Sequence, residues 1–148
     1  MSDASLSDLS SAVGTWWAVG TWSAVAAGGA LGALARTAVY AVLASRTKLH
    51  HEGSLAGLGL ARATLAVNLA GSFLLGLSAS MLPMGPGEEP MRVFIVTGFC
   101  GSLTTFSTLC LDVVGLTRAN LRGALVGYLL ANGLLGLAAF CLGRALAG

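Results

Sequence analysis

Hydrophobic positions in this chain do not alternate with polar ones; they gather into four long runs. Residues 22–43 hold one charge, Arg36, and residues 63–82, 93–111 and 123–143 hold none. Each run is 19 to 22 residues long. A helix rising about 1.5 Å per residue needs about 20 residues to cross a ~30 Å hydrocarbon layer. Strands of that length are rare, and an open sheet edge has no water to satisfy it in lipid. The pattern predicts an all-α membrane protein with four transmembrane helices in one domain, residues 16–148, behind a disordered tail, residues 1–15. Between the runs lie polar connections. Residues 44–62 carry Arg46, Lys48, His50, His51, Glu52 and Arg62; residues 83–92, PMGPGEEPMR, hold all three prolines; residues 112–122 carry Asp112, Arg118 and Arg122.

Composition agrees. Only 9% of the 148 residues are charged, against about 25% in a soluble domain, so the surface faces lipid. A net charge of +2 is too small to imply nucleic acid. Cys100, Cys110 and Cys141 all sit in apolar runs, which reads as small packed thiols rather than a disulfide framework. Residues 1–15 contain two Asp and no Lys or Arg, unlike a signal peptide, and Trp16, Trp17 and Trp22 suit a membrane interface. An even number of spans puts both termini on one side. Arg46, Lys48, Arg62, Arg118 and Arg122 lie on the face of the first and third connections; Arg92 and Arg144 lie on the face of the termini. Five against two predicts termini outside. No phosphate-binding loop or catalytic constellation is present, and adjacent His50 and His51 do not readily face one metal. The chain reads as no enzyme, which leaves binding or conduction.

Polar residues inside the runs carry the remaining information. Thr64, Asn68, Gly71 and Ser72 fall at i, i+4, i+7 and i+8, so one helical face collects them. Tyr128 and Asn132 are again four apart, with Gly136 one turn on. Two such stripes line a polar track, or glue helices together by hydrogen bonds. A carboxamide at mid-membrane is costly without a task, which sets Asn68 and Asn132 apart. In the first run Gly28 and Gly32, and Gly29 and Ala33, make a close-approach face. Arg36 follows on that side, either serving a site or snorkelling to an interface.

The third run contains GFCGSLTTFSTLC, residues 98–110. Gly98 and Gly101 weaken a helix, and the hydroxyls of Ser102, Thr104 and Thr105 compete for its backbone bonds. A break at membrane depth survives only in protein or against a cavity, where freed carbonyls can hold a cation. The segment therefore predicts a broken helix with an ion-related task, in a small channel or transporter.

GFCGSLTTFSTL resembles the signature GFxGGxTTFSTF of the Fluc (CrcB) fluoride channels. GGALGALARTAVY in the first run, TLAVNLAGSFLLG in the second, and Tyr128 with Asn132 in the fourth extend the likeness over residues 22–143. The resemblance implies an antiparallel, dual-topology-type dimer of four-helix subunits with two fluoride pores, in the bacterial inner membrane. It implies a structural, untransported Na+ at the dimer centre, held by the main-chain carbonyls of Gly101 and Thr104. By position it also implies pore roles for Thr64, Asn68, Phe106, Ser107, Thr108, Leu109, Tyr128 and Asn132, with Arg36 at a vestibule. Fluoride would leave the cytoplasm passively, lowering its toxicity. Three positions depart from the pattern: Leu109 replaces the second pore Phe, Ser102 the second glycine, and Asn132 a Ser. Some members of the family occur as pairs of different subunits in fixed opposite orientations, so the partner is either a second copy or a paralogous subunit. Two other classes compete, a small multidrug-type exporter and a non-transporting membrane assembly subunit. The exporter needs a mid-membrane carboxylate, and no Asp or Glu falls within the four runs.

Overall fold

The computed structural model of the protein describes residues 3–46, 54–82 and 89–148, all but the helix junctions and the C-terminal residue being helical. The helices are α1 (Asp3–Arg46), α2 (Ser54–Met81), α3 (Glu89–Arg92), α4 (Gly101–Leu103), α5 (Phe106–Arg118), α6 (Arg122–Leu130) and α7 (Gly136–Ala147). π-Helical segments Val93–Cys100 and Ala131–Leu135 join α3 to α4 and α6 to α7. Four spans are long and apolar enough to cross a membrane: Trp16–Leu43, Gly59–Met81, Glu89–Arg118 and Arg122–Ala147. The chain is a multi-pass membrane protein. His50, His51 and Glu52 lie outside the described residues. The helix α1 starts at Asp3, inside the stretch whose composition suggests a loose tail, and Trp16, Trp17 and Trp22 are exposed along it.

The second span is the centre. It packs against α1, against both halves of the third span and against α7. Small residues allow this. A Cβ at Gly76 would overlap the Phe140 carbonyl, and one at Gly143 would overlap the Phe73 carbonyl, so α2 and α7 meet backbone to backbone. Gly28 and Gly32 do the same for α1 against the carbonyls of Phe94 and Phe99. In lipid there is no hydrophobic drive between helices, so this close packing is what holds them together. A small apolar cluster of Ala61, Leu116 and Tyr128 closes one end. Many large apolar side chains elsewhere are exposed, as lipid contact requires. Among the cysteines only Cys100 is buried; Cys110 and Cys141 are exposed, not packed as the apolar runs suggest.

The third span ends later than its apolar run. The helix α5 continues through Arg118 and closes on Asn120, which has φ 57°. Asn120 N–H donates to the Thr117 carbonyl and Leu121 N–H to the Leu116 carbonyl, both at 3.0 Å. That is a Schellman ending with Asn in the left-handed position that few other side chains tolerate. Asp112, which the sequence pattern assigns to a connection, thus lies inside the span.

Candidate functional site

The helical path of the third span is interrupted at two residues. Thr104 (φ −74°, ψ 154°) and Thr105 (φ −147°, ψ 118°) are extended between α4 and α5. Local groups hold this geometry. Thr104 Oγ1 donates to the Cys100 carbonyl at 3.0 Å, and Thr105 Oγ1 caps α5 by accepting the Thr108 N–H at 3.2 Å. The amide that would close a helical bond to the Gly101 carbonyl is Thr105 N–H; it donates instead to Asn68 Oδ1 at 2.9 Å. Asn68 Nδ2 reaches back to the Thr105 carbonyl at 3.4 Å. One side chain from α2 therefore binds both main-chain polar groups of one residue at the interruption.

Asn68 also meets the fourth span. Its Nδ2 donates to Asn132 Oδ1 at 3.0 Å, and Asn132 Nδ2 donates to the Tyr128 carbonyl at 3.0 Å. Asn132 lies in the π-helical segment Ala131–Leu135. Such a bulge widens one turn of the helix and alters its bonding pattern, a feature common at functional sites.

A second network lies toward the end closed by Ala61, Leu116 and Tyr128. Thr64, with no exposed surface, donates to Asp112 Oδ2 at 2.6 Å. Tyr128 OH donates to the same oxygen at 2.8 Å. Tyr40 OH lies 2.6 Å from Thr64 Oγ1; with the Thr64 proton on Asp112, Tyr40 is the donor. Four spans thus meet in a chain of polar groups.

Two concavities flank these networks. One of about 660 Å³ includes Asn68, Gly101, Thr104, Phe106, Leu109 and Asn132 in its wall. Phe106 is 78% exposed there. A smaller one, about 360 Å³, is walled by Arg36, Thr37, Tyr40, Thr105, Ser107 and Thr108. Thr105 Oγ1 lies 2.9 Å from Thr108 Oγ1 and 3.3 Å from Ser107 Oγ, so the hydroxyls form one cluster. Of the eleven residues to which the resemblance gives pore, vestibule or Na+ roles, six wall the large concavity, three the small one, and Thr64 and Tyr128 sit at Asp112. Leu109 packs on the cluster formed by Ala61, Leu116 and Tyr128.

Sequence reasoning passed over Asp112, Tyr40 and the capping role of Thr105. Asp112 had a signal: Thr105, Thr108 and Asp112 fall at i, i+3 and i+7 on one helical face. Tyr40 likewise follows Arg36 by one turn.

The fold and the site define a class: a small polytopic membrane protein with a polar seam through its centre and an interrupted third span. Comparisons give the family. The model of the CrcB-like protein, Camphor Resistance (CrcB) family matches residues 23–144. The fluoride-specific ion channel FluC of Deinococcus radiodurans is 36% identical over 119 residues, 80% of this chain and 88% of that protein. FluC of Xanthomonas euvesicatoria is 36% identical over 121 residues, 81% and 82% of the two chains. FluC of Agrobacterium fabrum is 41% identical over 93 residues, 62% and 74%. The chain belongs to the CrcB family, a family of channels and not of enzymes.

Proposed function

We propose that this chain is the subunit of a fluoride-specific channel that lets fluoride leave the cytoplasm passively. The observation that carries the reading is the membership of the FluC-containing family together with a donor-lined seam beside an interrupted span. Fluoride is small and strongly hydrated, so a pathway must replace its water with donors. Hydroxyls of Ser107 and Thr108 and the N–H groups of Asn68 are of that kind, and those of Thr64 and Tyr128, which donate to Asp112, would join them only by turning from it. The exposed Phe106 can turn the positive edge of its ring to an anion. Arg36, in the wall of the smaller concavity, raises the local anion concentration at a vestibule.

The working unit of this proposal is an antiparallel dimer in the bacterial inner membrane, with the termini of this chain outside. Its partner is a second copy or a paralogous subunit. The bare Phe106 and the open concavity beside it give a partner something to cover. A structural Na+ fits the donor set at the interruption. Gly101 has lost its helical donor to Asn68, and main-chain carbonyls are hard oxygen ligands. When bound, the cation would neutralise carbonyl dipoles of Gly101 and Thr104 at the dimer centre.

A proton-coupled exporter is the second reading, favoured by one observation: Asp112 is a carboxyl group inside the third span. Liposomes separate the two. Fluoride-loaded vesicles containing the protein should release fluoride without a proton gradient and retain chloride. Chloride efflux at a comparable rate, or fluoride efflux only under a proton gradient, would overturn the channel reading.

A further inference from the structure

The orientation of two carboxamides can be fixed without ambiguity. Thr105 N–H can only donate, so the Asn68 atom 2.9 Å from it is the oxygen. The Tyr128 carbonyl can only accept, so the Asn132 atom 3.0 Å from it is the nitrogen. It follows that Asn68 turns an N–H, and Asn132 an oxygen, toward the contact between α2 and the fourth span.

That contact has a consequence for an anion. Asn68 has two N–H bonds to give. One goes to the Thr105 carbonyl, within a reciprocal pair that also holds the interruption in place. The other goes to Asn132 Oδ1. This second bond runs to a side chain and not to the main chain of the interruption, so it is the one an arriving anion can displace without disturbing the reciprocal pair. Until it is displaced, the anion faces the partial negative charge of Asn132 Oδ1 instead of a donor. The Tyr128 carbonyl, in the last turn of α6 before the π-helical segment, sets which way Asn132 turns, so the blocking orientation is built into the helix.

We propose that Asn132 is a latch on the ion pathway: its Oδ1 holds the Asn68 N–H that fluoride needs, and passage requires that bond to open. Asn132 is a positioning residue that acts through Asn68. The proposal rests on the channel reading above and adds a rate-setting element to it.

Unitary fluoride current across a planar bilayer tests it, because the current of one channel does not depend on how much protein folds. Asn132→Ala removes the latch oxygen and leaves the Asn68 N–H available. Releasing one hydrogen bond of ordinary net strength should raise the current about threefold or more. Asn132→Ser, which is shorter and keeps a hydroxyl, should lie between wild type and Asn132→Ala, and it stands in should the alanine variant fail to fold. Asn132→Asp keeps the shape, offers only acceptors and adds negative charge, so it should lower the current about tenfold or more by the cost of an anion beside a like charge. A residue that only holds helices together would not raise the current on truncation. An unchanged or reduced current in both Asn132→Ala and Asn132→Ser, with wild type conducting, overturns the latch and leaves the channel reading standing. Absence of fluoride current in wild type and in both variants overturns the two together. A silent wild type with a conducting Asn132→Ala supports both.

Discussion

Consider replacing Asp112 by Leu. Its Oδ2 accepts from Thr64 at 2.6 Å and from Tyr128 at 2.8 Å. The two hydroxyls differ in what remains to them. Thr64 Oγ1 also lies 3.2 Å from the Leu60 carbonyl and can turn to it. The Tyr128 hydroxyl loses the carboxyl group it donates to, in a side chain only 9% exposed. A buried hydroxyl left without its acceptor costs about 1–3 kcal/mol. Hydrogen bonds between membrane helices average about 0.6 kcal/mol and reach about 1.7. A carboxyl acceptor within a buried network belongs near the top of that range. The expected destabilisation is therefore about 1.5 kcal/mol, most of it from Tyr128. The assay is a double-mutant cycle, with equilibrium unfolding followed in mixed micelles as the denaturing detergent fraction rises. Asp112→Leu alone should destabilise. Adding Tyr128→Phe removes the stranded hydroxyl, so the double variant should be no less stable than Asp112→Leu. Strictly additive losses, with coupling below about 0.5 kcal/mol, would refute the argument that these two groups support each other.

Other expectations follow from the same geometry. Gly76→Ala should destabilise by about 2 kcal/mol or more, because the new Cβ meets main chain at Phe140 and not a movable side chain; Gly127→Ala, with open space around it, should be neutral or slightly stabilising in the same unfolding assay. Thr104→Ala should preserve fluoride flux better than Gly101→Pro, since the proposed Na+ contacts are main-chain oxygens. Equal wild-type flux with all sodium replaced by a large organic cation would count against a Na+ site. Leu109→Phe tests pairing: a chain that needs a different subunit should conduct fluoride poorly alone and gain flux from a partner of opposite charge bias. Full conduction by the purified chain, unchanged by Leu109→Phe, would leave the homodimer.

Four spans were readable because lipid imposes a length and a composition that little else produces. The interruption was readable from chemistry as well: Gly101, Thr104 and Thr105 each weaken a helix for a separate reason, and they stand together. Asn68 and Asn132 stood out because a carboxamide in lipid is expensive. What each would touch was a different matter. A stripe at helical spacing says which residues share a face, but not that Asn68 binds the main chain of Thr105, 37 positions away. Nor does it say that Asn132 offers an oxygen and not an N–H to its neighbour. Asp112 was lost by a simpler route. Reading a span as ending at its first charge is sound when the charge faces lipid. It fails when two hydroxyls from other spans converge on that carboxyl group, with a third behind one of them, and no one-dimensional pattern records the convergence.

The clasp between Asn68 and Thr105 also bears on how the protein is made. Spans enter the bilayer in chain order, so the second is in place before the third arrives. With no partner nearby, Thr104 and Thr105 would expose unsatisfied backbone to hydrocarbon if they left the helix, and the cheaper course is to stay helical. The Asn68 carboxamide removes that penalty once the third span docks beside it. The interruption is then expected to form on assembly rather than on insertion, the third span crossing the membrane as one continuous rod and opening only against its neighbour. Transplanted alone into an unrelated host, the same segment should remain unbroken.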